Sequence, residues 1–376
     1  MKKVICFPFI GDSFGGSHQS SLIIIKNLKK KRVNPIIILH KKGTLQSILK
    51  KNKIDFYFCP LNKLFGSSKN KYLNLIYLIF SIPIICHLIS KYKIDVIHSN
   101  DMKIHINWIL PSFLLRKKFI WHQRTILSGS IFWKCIVFLC NHFIAISQAV
   151  LNSAPNNIPN EKKSMIYNAF DEEAIFKKYN SRDLINKKFP ECEDAMVLGY
   201  VGRLVSYKNV DFLIKCLPEI ISRSKEPIHL IIIGNGSKEY KTYLRGIIND
   251  LKLKSNVSFT GFINNPSEII SGLDILLASS GRDAFGRTII EAMLQSIPVL
   301  AANKGGHLEI VENKYDGLLY QVNNESSFVK NAIRLIENES LREQIASRAY
   351  RKCISKFTKN NHFLSIEEIY KSTIEN

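Results

Sequence analysis

The feature that most constrains this chain is a rhythm, in which short apolar runs alternate with amphipathic segments almost from end to end. Val4–Phe9, Pro35–His40, Phe56–Cys59, Asp95–His98, Phe119–Gln123, Phe143–Ile146 and Ser164–Tyr167 read as strands. Ser17–Lys30, Thr44–Lys51, Leu73–Ser90, Ile104–Leu115 and Ile131–Cys140 read as the helices between them. The apolar runs are continuous rather than alternating, as expected of parallel strands covered on both faces. A second series starts at Val197–Val201. It continues through helix Val210–Ser222, strand His229–Ile233, helix Glu239–Leu251, strand Val257–Thr260, short helix Pro266–Ser271 and strand Asp274–Ala278. A continuous apolar run at Pro298–Ala302, helices at about 325–337 and 340–354, and a helical tail from Thr358 complete it. Residues 168–195 lack strand patterning and read as a connector. The expectation is an α/β protein of two doubly wound, Rossmann-like domains facing a cleft. Ligands of such sheets bind beyond the carboxyl ends of the strands.

Length and charge sharpen this division. The 376 residues suffice for two ordinary domains. Residues 1–165 hold 25 Lys and Arg against 5 Asp and Glu, a balance of +20, while residues 166–376 hold 28 against 26. A cationic half attracts nucleic acid, an anionic membrane leaflet or acidic substrates, and a merely solvated lysine-rich surface gives the same count. No aromatic nucleic-acid motif, zinc-finger spacing or trustworthy helix-turn-helix supports the first of these. The eight cysteines form no CxxC pair and fit a reducing compartment. The start, Met-Lys-Lys followed by seven mostly apolar residues, reads as a first strand rather than a leader. Leu73–Ile89 is the one candidate membrane span; at 17 residues, with Asn74, Pro83 and His87, it falls short of a crossing and reads as a buried or interfacial helix.

The chemistry-bearing residues concentrate between Ser279 and Gly317. Here Asp283, Glu291 and Glu309 alternate with glycine turns and an apolar helix beginning near Gly286. A helix N-terminus attracts anions and carboxylates accept bonds from hydroxyls, which suits a ligand bearing phosphate and sugar. With the helix starting at Gly286, Glu291 lies about one and a half turns in and Asp283 on the preceding loop. They flank a ligand rather than form an adjacent acid–base pair. Gly202-Arg203 at a strand end, with Lys208 five residues on, outlines a diphosphate clamp; two plain surface cations would look the same. Gly234-Asn235-Gly236 is a second strand-end turn. Gly11–Gly16 (GDSFGG) departs from the dinucleotide fingerprint and serves equally as a tight turn or a phosphate approach. His18, His98 and His122 sit at or just past strand ends without metal-ligand spacing, so no metal is expected.

These residues resemble the retaining GT-B glycosyltransferases of the glycosyl transferases group 1 class (glycosyltransferase family 4), over nearly the whole chain. The E-x7-E motif of that family stands here as Asp283-Ala-Phe285-Gly286-Arg287-Thr-Ile-Ile-Glu291, and its GG-x-x-E element as Gly305-Gly306-His-Leu-Glu309. Its G-R-L-x-x-x-K element is Gly202-Arg203-Leu-Val-Ser-Tyr-Lys208. Gly234, Gly236, Gly261 and Phe262 fall where the family places nucleotide contacts, and Ile144–Ser147 with Asn168 match its inter-domain approach.

The resemblance implies an acceptor domain at 1–168, a donor domain at 169–357 and a final helix, 358–376, packing back on the first. It implies that Arg203 and Lys208 hold the donor diphosphate and stabilise its departure, and that Glu291 holds the ribose. Asp283, with the backbone of Phe285 and Gly286, binds the transferred sugar; Arg287 and Glu309 join the donor contacts. Gly15, Gly16 and His122 lie on the acceptor side, His122 close to the reacting centre. The departure is Asp283, where the family usually has Glu, and this touches sugar preference. The implied reaction is metal-independent transfer, with retention, from a UDP- or GDP-type sugar to a lipid-linked saccharide. Domain closure over the donor would exclude water. The implied setting is bacterial O-antigen, capsule or lipopolysaccharide assembly, at the cytoplasmic face of an anionic plasma membrane and without nucleic acid as partner. Competing readings are a GT-B epimerase or phosphorylase, though no lysine motif for pyridoxal phosphate is evident, and a non-enzymatic basic nucleic-acid binder.

Overall fold

The computed structural model describes residues 3–29, 33–61, 63–170, 178–263 and 266–375. The chain divides into two compact units, Met1–Ala169 with Lys359–Asn376, and Phe170–Thr358. The first unit holds strands β1 Lys3–Phe9, β2 Val33–Leu39, β3 Tyr57–Phe58, β4 Val96–Ser99, β5 Lys118–Gln123, β6 His142–Ala145 and β7 Lys163–Met165. They form one parallel sheet in the order β3-β2-β1-β4-β5-β6-β7. The second holds β8 Met196–Val201, β9 Ile228–Ile233, β10 Val257–Gly261, β11 Ile275–Ala278, β12 Val299–Ala302 and β13 Leu318–Tyr320. Their order is β10-β9-β8-β11-β12-β13, again all parallel. Both sheets therefore run outward from their first strand in one direction and then in the other. This doubly wound order opens a crevice at the strand ends where the direction reverses, between β1 and β4 and between β8 and β11.

The strands form because their residues suit a sheet buried on both faces. All six residues of β9 (IHLIII) are buried, and β-branched side chains pack well on such a surface. The covering helices bury one stripe each. Helix Val210–Arg223 buries Val210, Leu213, Ile214, Leu217 and Ile220, the i, i+3, i+4, i+7 pattern. The last helix, Lys359–Glu375, adds Phe363, Ile366, Ile369 and Tyr370 to the core of the first unit. Each such side chain contributes roughly 1.5–3 kcal/mol on burial.

Several local expectations need correcting. The stretch 168–195 is not a bare connector, because Lys178–Lys188 is a helix; residues 171–177 lie outside the described residues. Among its described side chains, Ser181 and Ile185 are the buried ones. It is fastened instead by Arg182, which donates to the Gly272 carbonyl and to Asp274 Oδ2, both at 3.0 Å. Strand Phe56–Cys59 shrinks to Tyr57–Phe58, and helix Ile131–Cys140 stops at Val137. The short strand β13 and the single-turn helices Gln148–Leu151 and His307–Ile310 carry too few residues to show a period.

The largest correction concerns the apolar run Leu73–Ile89. It belongs to a 21-residue helix, Lys71–Lys91, started by the Asn70 side chain and long and apolar enough to cross a membrane by length and composition. Nor is it a buried helix, since 28% of its most apolar window is buried. Tyr72, Leu75, Ile76, Ile79, Phe80 and Ile84 are exposed, while polar Asn74 and Ser81 point inward. Asn74 accepts from the Gly66 and Ser68 amides at 3.1 and 3.0 Å, and the Ser81 hydroxyl donates to Asn107 Oδ1 at 3.3 Å. The helix thus turns an apolar face to solvent over its first four turns, and packs Ile85, Leu88 and Ile89 inward near its end.

Candidate active site

In the second unit the reversal point brings two loops together. After β8 the chain makes a single turn, Ser206–Lys208, and leaves it through Asn209 in the left-handed conformation. After β11 it runs from Ser279 to Gly286 into helix Arg287–Leu294. The Ser279 hydroxyl donates to the Lys208 carbonyl at 2.6 Å, tying the loops. Across this junction Lys208 Nζ lies 2.5 Å from Asp283 Oδ1. His307 approaches from the turn after β12, its Nε2 3.3 Å from Asp283 Oδ2. Burial alone would push the Asp283 carboxyl up. The hydrogen bond from His307 and the Lys208 ammonium outweigh it and hold the group well below the usual carboxylate range.

The double glycine is what lets this turn come so close. The Gly306 amide donates to the Asp283 carbonyl at 2.8 Å, and a Cβ at Gly306 would stand 2.4 Å from the Phe285 Cα. Gly286 has φ +114°, a region that side chains with a Cβ rarely adopt, so the helix turns sharply out of the loop there. Glu291 lies one turn into that helix, with Arg287 Nε donating to its Oε1 at 2.9 Å. Burial pushes the Glu291 carboxyl above its ordinary value, against the pull of the Arg287 guanidinium. Arg287 itself lies over the Phe170 ring, 4.5 Å from its centroid.

The other residues singled out in the second unit lie at or beyond its strand ends. The Gly202 amide donates to the Ile233 carbonyl and the Gly234 amide to the Gly261 carbonyl, so the ends of β8, β9 and β10 lie side by side. A Cβ on Gly234 would fall 1.8 Å from the Gly202 carbonyl oxygen, and one on Gly236 2.0 Å from that of Leu204. Phe262, 60% exposed, stands just past them. Arg203 is exposed and donates to the Tyr207 hydroxyl at 2.8 Å; it is not held against Lys208. Glu309 is half-buried on the single-turn helix His307–Ile310. Among the described residues no group of His, Cys, Asp and Glu has the arrangement of a metal site.

In the first unit Gly15 precedes the helix Gly16–Leu28 and donates to His18 Nδ1 at 3.1 Å; a Cβ there would meet nothing within 4 Å. Gly11, with φ +102°, is the position of this loop that demands glycine. His122, at the end of β5, is fully buried. Its Nδ1 lies 3.0 Å from His98 Nε2, and His98 Nδ1 lies 2.5 Å from the Tyr370 hydroxyl. Burial, reinforced by the Arg124 guanidinium, holds His98 and His122 well below the ordinary imidazole range. Arg124 also donates to Asn100 and to Asn168.

The structure thus joins Lys208 to Asp283 and Arg287 to Glu291, while Arg203 stays apart from both pairs. Two participants went unread in the sequence. His307 occupies an unnamed position inside the GG-x-x-E element, and Arg124 follows His122 by two residues without any spacing signal.

Residues 181–352 match the model of the family described as glycosyl transferases group 1. The second unit belongs to this family. Among curated relatives, the N-acetyl-alpha-D-glucosaminyl L-malate synthase of Bacillus anthracis is 24% identical over 60% of this chain and 58% of its own length. The capsular polysaccharide biosynthesis glycosyltransferase CapM of Staphylococcus aureus is 25% identical over 64% of each chain. The matches to the first three relatives thus span 56–64% of those proteins' lengths. Among solved structures, the Anabaena protein HepE in complex with UDP and glucose superposes with a TM-score of 0.83. That superposition covers 98% of this chain and 99% of HepE at 23% identity, a likeness of fold. The group 1 unit and its companion sheet together make the GT-B fold.

Proposed function

We propose that the chain is a retaining glycosyltransferase that moves a sugar from a UDP- or GDP-type donor to a lipid-linked saccharide in bacterial surface-polysaccharide assembly. The observation that carries this reading is the Lys208–Asp283 pair at the reversal point of a group 1 unit, with Glu291 on the helix that follows Asp283. Departure of a nucleoside diphosphate develops negative charge, and fixed cations stabilise it without reorganising. Lys208 and Arg203 supply such charge, so the reaction proceeds without a metal and survives chelation. Glu291 accepts from the ribose hydroxyls and Asp283 from a hydroxyl of the transferred sugar. Gly202, Gly234, Gly236, Gly261 and Phe262 border the nucleotide, with Phe285 and Gly286 at the sugar and Arg287 and Glu309 supporting. Gly15, Gly16 and His122 belong to the acceptor side.

The first half's +20 charge and the exposed apolar face of helix Lys71–Lys91 support a lipid-linked acceptor. Exposed apolar side chains beside basic ones suit peripheral attachment at the inner face of the plasma membrane. The decisive experiment screens UDP-, GDP- and ADP-sugars for thermal stabilisation, then for slow hydrolysis. At least one sugar nucleotide should stabilise wild type. Glu291→Ala should weaken that donor about tenfold or more while the protein still folds. Unchanged donor affinity in Glu291→Ala removes the ribose assignment. Sedimentation with anionic vesicles at low salt tests the membrane side; a chain left in the supernatant refutes it.

A further inference from the structure

His307 faces two groups that can only accept. Its Nδ1 lies 3.1 Å from the Ala302 carbonyl oxygen and its Nε2 3.3 Å from Asp283 Oδ2, with the ring fully buried. A carbonyl oxygen has no proton to give, so Nδ1 donates. The Asp283 carboxylate accepts from the Lys208 ammonium on its other oxygen and is ionised, so Nε2 donates as well. The charged groups nearby are Asp283, Lys208 beyond it, and Arg287 with Glu291 on the adjoining helix, which pair with each other. Glu309 lies on the ring's own turn. Only a ring protonated on both nitrogens satisfies both contacts.

We infer that His307 is a positioning residue, carried with a proton on both ring nitrogens, that holds Asp283 toward the donor sugar when Lys208 turns to the donor diphosphate. This rests on the donor roles proposed above for Lys208 and Asp283. Without a ligand, two cations share one carboxylate. A bound diphosphate competes for Lys208, whose ammonium sits on a flexible stem. His307 cannot follow, because its ring is locked between the Ala302 carbonyl and Gly286, where a Cβ would meet its Cδ2 at 3.1 Å. The carboxylate therefore keeps one fixed donor throughout.

Two measurements on the full chain test this. In a histidine-labelled sample at neutral pH, long-range proton–nitrogen correlation should show both His307 nitrogens protonated, assigned by their loss in His307→Gln. A lone-pair nitrogen there overturns the inference whether or not any donor binds, so this result is independent of the proposed activity. Binding of UDP, UDP-glucose, GDP and GDP-mannose is then compared. For whichever sugar nucleotide binds wild type, His307→Leu should lose about tenfold or more in affinity, while the bare diphosphate changes about twofold or less. His307→Gln, which keeps one donor toward Asp283, should recover most of the loss. Equal losses for sugar nucleotide and bare diphosphate, or no recovery in His307→Gln, refute the positioning role. Absence of any binding to wild type would instead count against the transferase reading.

Discussion

The two units share a strand order and use it oppositely. At the strand ends of the first, the groups beside the reversal point are buried imidazoles around one guanidinium: His98 and His122 with Arg124. At the corresponding ends of the second they are ions in contact, Lys208 with Asp283 and Arg287 with Glu291. Burial has opposite consequences for the two sets. It drives the imidazoles neutral, whereas opposed charges keep Asp283 ionised. The same scaffold thus makes one neutral, acid-sensitive floor and one fixed electrostatic site. The imidazoles stand on strands β4 and β5 themselves, whereas the ions stand on the turns and the helix beyond β8 and β11.

Acid should expose this contrast most strongly. Burial pushes His18, His40 and His142 of the first unit down from 6.5 to about 4. The fold favours their neutral forms, so their stabilisation is complete above pH 6.5 and is lost as pH falls toward 4. Each group costs roughly 1.4 kcal/mol per pH unit across that window. The depressed Asp283 contributes stability that fades only below its ordinary 3.8. Hydrogen exchange between neutral pH and pH 4 should therefore show amides of the first unit losing protection before those of the second. Simultaneous or reversed loss would break the comparison.

The next effect is on chemistry. Lys208→Met removes the cation at the reversal point and should lower sugar transfer by about 100- to 1,000-fold, read as turnover at saturating acceptor. It should leave the acid transition of the first unit where it was. Turnover within a few-fold of wild type would mean that Arg203 alone meets the leaving charge. The smallest effect sharpens the surface difference. Phe80 is 70% exposed on the apolar face of helix Lys71–Lys91. Phe80→Glu should reduce partition onto anionic vesicles about tenfold, with folding stability changed by about 0.5 kcal/mol or less. Undiminished partition would assign the attraction to lysines elsewhere on the first unit.

Much of the architecture was legible because buried parallel strands and amphipathic helices leave different periods in sequence. The glycines of Gly286 and Gly305-Gly306 were legible for a related reason, since turns that need a missing Cβ admit few residues. Helix Lys178–Lys188 was not, because Ser181 and Ile185, the buried positions among its described side chains, make no detectable stripe and its anchor, Arg182, reaches residues far along the chain. Leu73–Ile89 announced that it was apolar but not which way it faced. Asn74 and Ser81 turned inward because Asn107 and the loop amides of Gly66 and Ser68 were there to receive them.

By itself, the sequence determined that two strand–helix series exist, where their sharp turns lie, and that cations and carboxylates follow particular strands in the second. Those are local matters, settled by side-chain period and by glycine's freedom. Which strand ends become neighbours was decided by the tertiary structure alone. Lys208 and Asp283 are 75 residues apart and meet because β8 pairs with β11. His307 reaches Asp283 because β12 pairs with β11 and the double glycine admits its turn. Such proximity depends on crossovers between continuous apolar strands, and those runs are too alike for sequence to say which will lie side by side.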